Sequence, residues 1–338
     1  MEKIGVGVIG VGVFGEIHAR FYSEHRLTNL IAVADINEKR AKLVVDKYGA
    51  KPYTRYEDML ADPKIKMVSI VVPDPLHREP CVRAAEAGKH ILLEKPLATT
   101  LEDGRAIIDT CKKHGVKFMV DFMNRWNPPF SMAKETIESG EIGKVQYINI
   151  RLNDSIYVPT KMLSWAATSS VLWFLGSHAV DLVTWLLNDN VQRVFCISRS
   201  KVIAERGIDT PDFFHSVLEF RNGVIVNMEN SWILPNSSPT IYEFTTEIVG
   251  SKGKIDIDTA QHGAIRKSSG DKYSFPDILC IPSIAGRISG FAYTAMNHFI
   301  ECVADDKEPE VTKESSLEVT RVLLKLLESA RGEKFVNM

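Results

Sequence analysis

The 338 residues carry 41 Lys and Arg against 43 Asp and Glu, a formal charge of -2, with 45% hydrophobic and 25% charged side chains. Those fractions are ordinary for a folded globular chain and exclude a disordered one, and the near-neutral balance offers nucleic acid no clustered basic surface. A single core rarely grows beyond about 250–300 residues, so two domains are expected.

The chain opens at Met1-Glu2-Lys3-Ile4-Gly5 on an apolar run too short and Gly-rich for a signal segment, and Glu16 and Arg20 follow it. No stretch approaches the roughly 20 apolar residues of a spanning helix, so no membrane partner is expected. The five cysteines (Cys81, Cys111, Cys196, Cys280 and Cys302) are widely spaced and form no C-x-x-C pair. Free thiols in a reducing compartment, the cytoplasm, are the expectation.

Up to residue 122, apolar β-rich runs alternate with helical spacing. Strands are expected at Ile4–Ile9, Leu30–Ala34, Met67–Val72, His90–Leu93 and Phe118–Phe122, with helices at Glu16–His25, Lys39–Tyr48, Glu79–Gly88 and Leu101–His114. Such alternation builds βαβ units and a parallel sheet. Gly49, Gly88 and Gly115 suit left-handed caps at three helix ends. After Pro128-Pro129 a helix at Phe130–Ser139 leads into Lys144–Leu152, and β-like runs dominate. Ser216–Phe220 and Val224–Trp232 flank Arg221-Asn222-Gly223, a hairpin signal because Asn-Gly accepts the positive φ of a tight turn. Gly250-Ser251-Lys252-Gly253 divides Thr245–Val249 from Lys254–Asp258 in the same manner. A last helix, Ser315–Ala330, presents Val319, Val322, Leu323, Leu326, Leu327 and Ala330 as one stripe.

Two G-x-G-x-x-G matches overlap, at Gly5–Gly10 and Gly10–Gly15, and only the second follows a strand and opens a helix. In that setting Gly10 makes the tight turn, Gly12 lets the backbone approach a pyrophosphate, and Gly15 permits close helix–strand packing. The amides of the following turn, at Val13 and Phe14, then face the phosphates with the helix dipole behind them. Asp35 lies 20 residues past Gly15, directly after the second strand, where a carboxylate bonds the adenosine ribose hydroxyls, with Ile36 beside it. A ribose 2′-phosphate would meet like-charge repulsion there, which can cost several kcal/mol. NAD is therefore expected over NADP, although Lys39 and Arg40 could swing into the same corner.

Glu94-Lys95-Pro96 at the end of a strand, added to this fingerprint, resembles the Gfo/Idh/MocA family of sugar and polyol dehydrogenases. Pro73-Asp74-Pro75-Leu76-His77 resembles the family's T-P-N-x-x-H loop, and Asn124-Arg125-Trp126-Asn127-Pro128 its N-R-F-x-P segment. Gly176-Ser177-His178-Ala179-Val180-Asp181 matches G-x-H-x-x-D, and Glu247-Ile248-Val249-Gly250 with Gly253 fits E-I-x-G-x-x-G. The resemblance spans almost the whole chain. It implies an α/β protein with an N-terminal Rossmann domain (1–123) and a C-terminal α/β substrate and oligomerisation domain (124–338). The second domain would hold a large, mostly antiparallel open sheet across which homodimers or homotetramers form, with the C-terminal helix free to pack back on the first domain. It also implies hydride transfer between a nicotinamide cofactor and a carbohydrate-like alcohol or ketone, with Pro73, His77, Glu94 and Arg125 at the nicotinamide end.

Lys95 is the expected acid/base residue. Oxidising an alcohol needs a base for the hydroxyl proton, yet a free lysine, with a pKa of ~10.4, is neutral in only about one molecule in 2,500 at pH 7. Half-neutrality needs a shift of ~3.4 units, roughly 4.6 kcal/mol, a size that burial helped by a positive nicotinamide ring can supply. His178, on the apolar helix Trp173–Leu187, reads on its own as a satisfied core histidine; the resemblance gives it a role in proton transfer or in holding the substrate hydroxyl. Asp181, one turn later, fixes the helix or pairs with His178. Asn153, Tyr157 and Trp165, on or after the crossing strand, are candidates for the substrate pocket, with core packing as the alternative for each. No metal is expected, since His178 and Asp181 supply only two ligands and His215 lies in a distant strand.

The chain departs from the family at one place. Many members carry an Asp four residues before the helix His, and this chain has Phe174 there, with Thr168-Ser169-Ser170 in place of a Gly-rich stretch. From Ser155 through Leu187 the only carboxylate is Asp181. Phe174 cannot relay a proton, so inositol- or glucose-type specificity does not carry over. Two functions remain open: an NAD-dependent dehydrogenase of a sugar, polyol or related hydroxy or keto compound, and a catalytically weak sensor that binds NAD and a sugar and regulates a partner. Phe174 supports the sensor; Lys95 and His178 speak for the enzyme.

Overall fold

A computed structural model describes residues 3–270 and 272–338. The chain packs into two units, one made of residues up to Met123 with Ile281–Leu317, the other of Asn124–Cys280 with Glu318–Met338. Residues 281–317 thus return to the first unit, which a division at 123/124 does not anticipate. Among the described residues no helix is long and apolar enough to cross a membrane.

In the first unit, β1 (Ile4–Ile9), β2 (Thr28–Ala34), β3 (Lys51–Tyr53), β4 (Met67–Ile70), β5 (His90–Leu93) and β6 (Phe118–Val120) form one parallel sheet in the order β3-β2-β1-β4-β5-β6. This is the doubly wound order, with its reversal between β1 and β4. Helices α1 (Val13–Glu24), α2 (Glu38–Tyr48), α3 (Tyr56–Leu60), α4 (Arg78–Glu86) and α5 (Leu101–His114) make the crossovers. Helices on both faces explain why the central strands are apolar without alternation: Val6, Val8, Ile91, Leu92 and Leu93 are all fully buried. On α1 the buried positions Gly15, His18, Ala19 and Tyr22 fall at i, i+3, i+4 and i+7, one helical stripe. The left-handed residues expected at helix ends, Gly49, Gly88 and Gly115, all have positive φ.

The second unit holds helices α6 (Pro128–Ser139) and α7 (Ser177–Leu187) and strands β7 (Val145–Ser155), β8 (Val191–Arg199), β9 (Phe213–Phe220), β10 (Ile225–Leu234), β11 (Tyr242–Gly250) and β12 (Lys254–Asp258). With the short terminal strand Val336–Asn337 they give a seven-stranded sheet in the order β12-β11-β7-β10-β9-β8-terminal strand. All pairings are antiparallel except β7 with β10, which is parallel. The β9–β10 hairpin forms as expected, but of its two turn residues only Gly223 has positive φ. The Gly223 N–H donates to the Phe220 carbonyl and the Phe220 N–H to the Val224 carbonyl, which makes it a type I turn closed by a glycine bulge. One sheet face is apolar and packs on α6 and α7, as in the Phe130–Phe244 contact at 5.0 Å. The other is polar: Asn149 bonds Glu247 at 2.8 Å, and Arg151 bonds Glu229 at 3.2 Å. Helix α8 (Phe291–Ala304) belongs to the first unit, and α9 (Lys313–Gly332) runs on from it into the second.

Candidate functional site

The turn after β1 assigns each fingerprint glycine a separate physical task. Gly10 has a φ of 83°, and a Cβ there would run into the Val71 carbonyl oxygen. A Cβ on Gly15 would strike the Gly10 carbonyl oxygen, so α1 can sit this close to β1 only without a side chain. Gly12 is different. It is the N-cap of α1, no side chain caps that helix, and a Cβ on it would meet nothing within 4 Å. An uncapped helix N-terminus facing open space fits a phosphate group. Val13, in the first turn, is 61% exposed and Phe14 is half-buried. Gly12→Ala is therefore expected to melt like the wild type yet bind NAD about tenfold or more weakly, a loss of at least ~1.4 kcal/mol. Gly15→Ala is expected to lose about 1–3 kcal/mol of stability through overpacking. Thermal melting and an NAD titration of both variants check this, and equal behaviour of the two would contradict it.

Asp35 sits at the end of β2 with 7% exposure. Its Oδ2 accepts the Val11 N–H at 2.9 Å and its Oδ1 the Asn37 N–H at 2.8 Å, so the carboxylate is fixed against the glycine turn. The Arg40 guanidinium does reach it, at 3.4 Å, but that side chain is half exposed, and such a pair is weak. Ile36 beside it is 96% exposed.

Lys95 is the second residue after β5 and is 9% exposed. The Lys95–Pro96 peptide is cis. His77, at the end of the loop that carries half-buried Pro73, lies between two carbonyls, with Nδ1 2.7 Å from the Pro96 oxygen and Nε2 3.0 Å from the Val72 oxygen. The ring is spent on backbone and braces the segment that presents Lys95. Beneath it lies a chain of buried polar groups: Tyr22 OH to Ser69 Oγ at 2.5 Å, Ser69 Oγ to His18 Nδ1 at 3.1 Å, and His18 Nε2 to Glu94 Oε1 at 3.1 Å. One placement of protons serves every member: Tyr22 donates to Ser69, Ser69 to His18, and His18 to Glu94. Burial would raise the Glu94 carboxyl, but the His18 bond and the neighbouring positive charge of Lys95 bring it below its usual range.

His18, Ser69, Tyr22 and Asp121 escaped the sequence reading, though two signals were available. His18 and Tyr22 lie on the buried stripe of α1, and Asp121 directly follows β6, the neighbour of β5, at the carboxyl edge of the sheet where such folds bind ligands. Among the described residues, His18, Glu94 and Asp121 are also the one group of three with donor atoms within 4.8 Å of one another.

In the second unit the expected residues separate. The Asp181 carboxylate meets Arg125, not His178: Arg125 Nη2 donates to Oδ1 at 2.6 Å and Nε to Oδ2 at 3.0 Å, with both side chains almost fully buried. Burial pushes the Asp181 carboxyl up and the Arg125 charge opposes it. His178 occupies the first turn of α7 and is 6% exposed. Phe174, one turn earlier, lies between Trp165, at a ring distance of 6.1 Å, and Trp232, at 5.9 Å. Tyr157 is 46% exposed. Asn153 is fully buried, and its Nδ2 donates to Glu229 at 2.7 Å on the polar sheet face. Its neighbour Asp154 points to the opposite face, where it accepts the Trp232 Nε1–H at 3.2 Å. A buried acid therefore does lie near Phe174, one residue outside the stretch Ser155–Leu187.

Family comparison agrees with this geometry. The model described as "Oxidoreductase family, NAD-binding Rossmann fold" matches residues 4–122, and "Oxidoreductase family, C-terminal alpha/beta domain" matches residues 134–338. The scyllo-inositol 2-dehydrogenase (NAD(+)) of Bacillus subtilis (strain 168) is 30% identical over 319 residues, 92% of this chain and 89% of its own. The crystal structure of myo-inositol 2-dehydrogenase from Lactobacillus plantarum is similar in fold, with a TM-score of 0.88 at 21% identity and coverage of 100% of both chains. GenD2 from gentamicin A biosynthesis, crystallised with NAD, also gives 0.88, at 22% identity, covering 100% of this chain and 97% of its own. The chain belongs to the Gfo/Idh/MocA oxidoreductase family and carries that family's NAD-binding Rossmann fold.

Proposed function

We propose that this protein moves a hydride between NAD and a hydroxyl or keto carbon of a sugar, polyol or related compound, with Lys95 as acid/base and His178 assisting. The observation that carries the proposal is the setting of Lys95: nearly buried at the carboxyl end of β5, between a Glu94 tied to His18 and a Pro96 tied to His77. Bound NAD would supply the hydride acceptor; Gly10, Gly12, Val13, Phe14, Gly15, Asp35 and Ile36 would hold its phosphate and ribose end, and Pro73, His77 and Glu94 would frame its other end. In the oxidative direction Lys95 takes the hydroxyl proton, and in the reductive direction its ammonium donates to the ketone oxygen. His178 steadies that hydroxyl. The Bacillus relative's name supports a polyol as the substrate class. Phe174 argues for a compound that stacks on aromatic rings rather than one held there by a carboxylate. Arg125, also proposed at the nicotinamide end, donates to Asp181 and so holds α7.

The sequence also supports a cytoplasmic homodimer or homotetramer. Cys81, Cys111, Cys196 and Cys302 are free and buried, and the polar sheet face carries the exposed Tyr147, Arg151 and Asn227, which suits association. The activity test is absorbance of the reduced nicotinamide over a panel of polyols, aldoses, keto-sugars and sugar acids. Turnover of at least one is expected. No turnover, with thermal shifts that depend on ligand, would instead favour the sensor, for which the Phe174 wedge is the one structural argument.

A further inference from the structure

The relay beneath Lys95 leaves one member out. His18 Nε2 offers a single N–H, and Glu94 takes it at 3.1 Å. Asp121 stands farther off, its Oδ2 4.0 Å from the same nitrogen, and its Oδ1 is buried with no hydrogen-bond partner. The side chain is 2% exposed, so water does not solvate it. A buried carboxylate anion without a donor is among the costliest groups a protein can hold, whereas the neutral acid supplies a proton of its own. The groups that bear on it are His18 and Tyr22 from α1 and Glu94 and Lys95 from the end of β5. Two carboxyl groups this close cannot both ionise cheaply, and their surroundings push them apart. Glu94 has the His18 bond and stays an anion; Asp121 has none.

We propose that Asp121 is a positioning residue for Lys95, held as a neutral carboxylic acid at neutral pH so that one anion, Glu94, and not two faces the lysine. The consequence is chemical. A second anion would favour the ammonium form and move the base out of working range; a neutral Asp121 fills the space and adds no charge. Burial pushes the Asp121 carboxyl well above its ordinary range, the Glu94 charge adds to this, and Lys95 opposes it. The proposal rests on Lys95 being the acid/base group.

Infrared difference spectra of the protein without cofactor, wild type minus Asp121→Asn, test it directly. The expected result is a protonated-carboxyl carbonyl band at neutral pH that Asp121→Asn removes; absence of the band overturns the proposal. Asp121→Ser, smaller and also neutral, must remove the same band, so the test survives poor folding of either variant. In the pH profile of kcat/KM, the acid limb of Asp121→Asn is expected at the wild-type position. A limb displaced downward by about one pH unit would mean that an anion had been removed, and would sink the idea. So would an equimolar divalent ion in the native protein, since a metal bound by His18, Glu94 and Asp121 would require the acid ionised. The band is read without turnover, so its absence from the wild type rejects the Asp121 assignment alone, while an inactive protein that shows the band rejects only the enzymatic reading.

Discussion

Replacing Lys95 by methionine is expected to lower kcat for alcohol oxidation by about 10²–10⁴-fold, the usual contribution of a positioned acid or base, with NAD affinity almost unchanged. Methionine keeps the length and apolar stem of the side chain, so the braced segment around Pro96 should hold. Lys95→Arg sharpens the experiment. Arginine retains the charge but does not give up its proton at working pH, so it should fail in oxidation nearly as badly as methionine. Stopped-flow rates with the best substrate of the panel, beside NAD titrations of both variants, give the comparison. A methionine variant that binds NAD and turns over at the full rate would remove Lys95 from the chemistry.

The largest stability effect is expected at the Arg125–Asp181 pair. Both side chains are almost fully buried and joined by two hydrogen bonds, at 2.6 and 3.0 Å. Removing one partner strands the other charge away from water, a cost of about 3–5 kcal/mol. Arg125→Met and Asp181→Leu should each show that loss in denaturant midpoints. The double variant should recover much of it, since a well-packed apolar pair can replace a buried ion pair at little cost. Two single losses that simply add would mean that the residues act independently.

The parts of the protein legible in the sequence were those encoded locally. A strand, three glycines, a helix and an acid at fixed spacing announced the β1–α1–β2 corner because each residue answers to its own backbone or to phosphate. The β9–β10 hairpin announced itself through Asn222-Gly223. What escaped was short, marginal or non-local. Strand β3 is three residues at a sheet edge and contains Pro52, which an edge tolerates and a pattern search discounts. Asn153 and Asp154 are neighbours in a strand and so face opposite sides of the sheet, because side chains alternate with a period of two, and sequence alone does not say which side either takes. The group joins His18 of α1 to Glu94 and Asp121, the residues that directly follow β5 and β6, which lie 76 and 103 positions along the chain from His18. Only the parallel order of the sheet makes them neighbours.

The return of residues 281–317 has a practical meaning for dissecting the molecule. Phe21 of α1 packs edge-on against Tyr293 of α8, with ring centroids 4.8 Å apart, and Phe299 and Ile300 of that helix are fully buried. A fragment that stops at Met123 lacks this helix, so its nucleotide-binding half would be left with bare apolar surface and a tendency to aggregate. The two units interleave along the chain: residues 124–280 interrupt the first, and Ile281–Leu317 in turn separate them from Glu318–Met338, which complete the second.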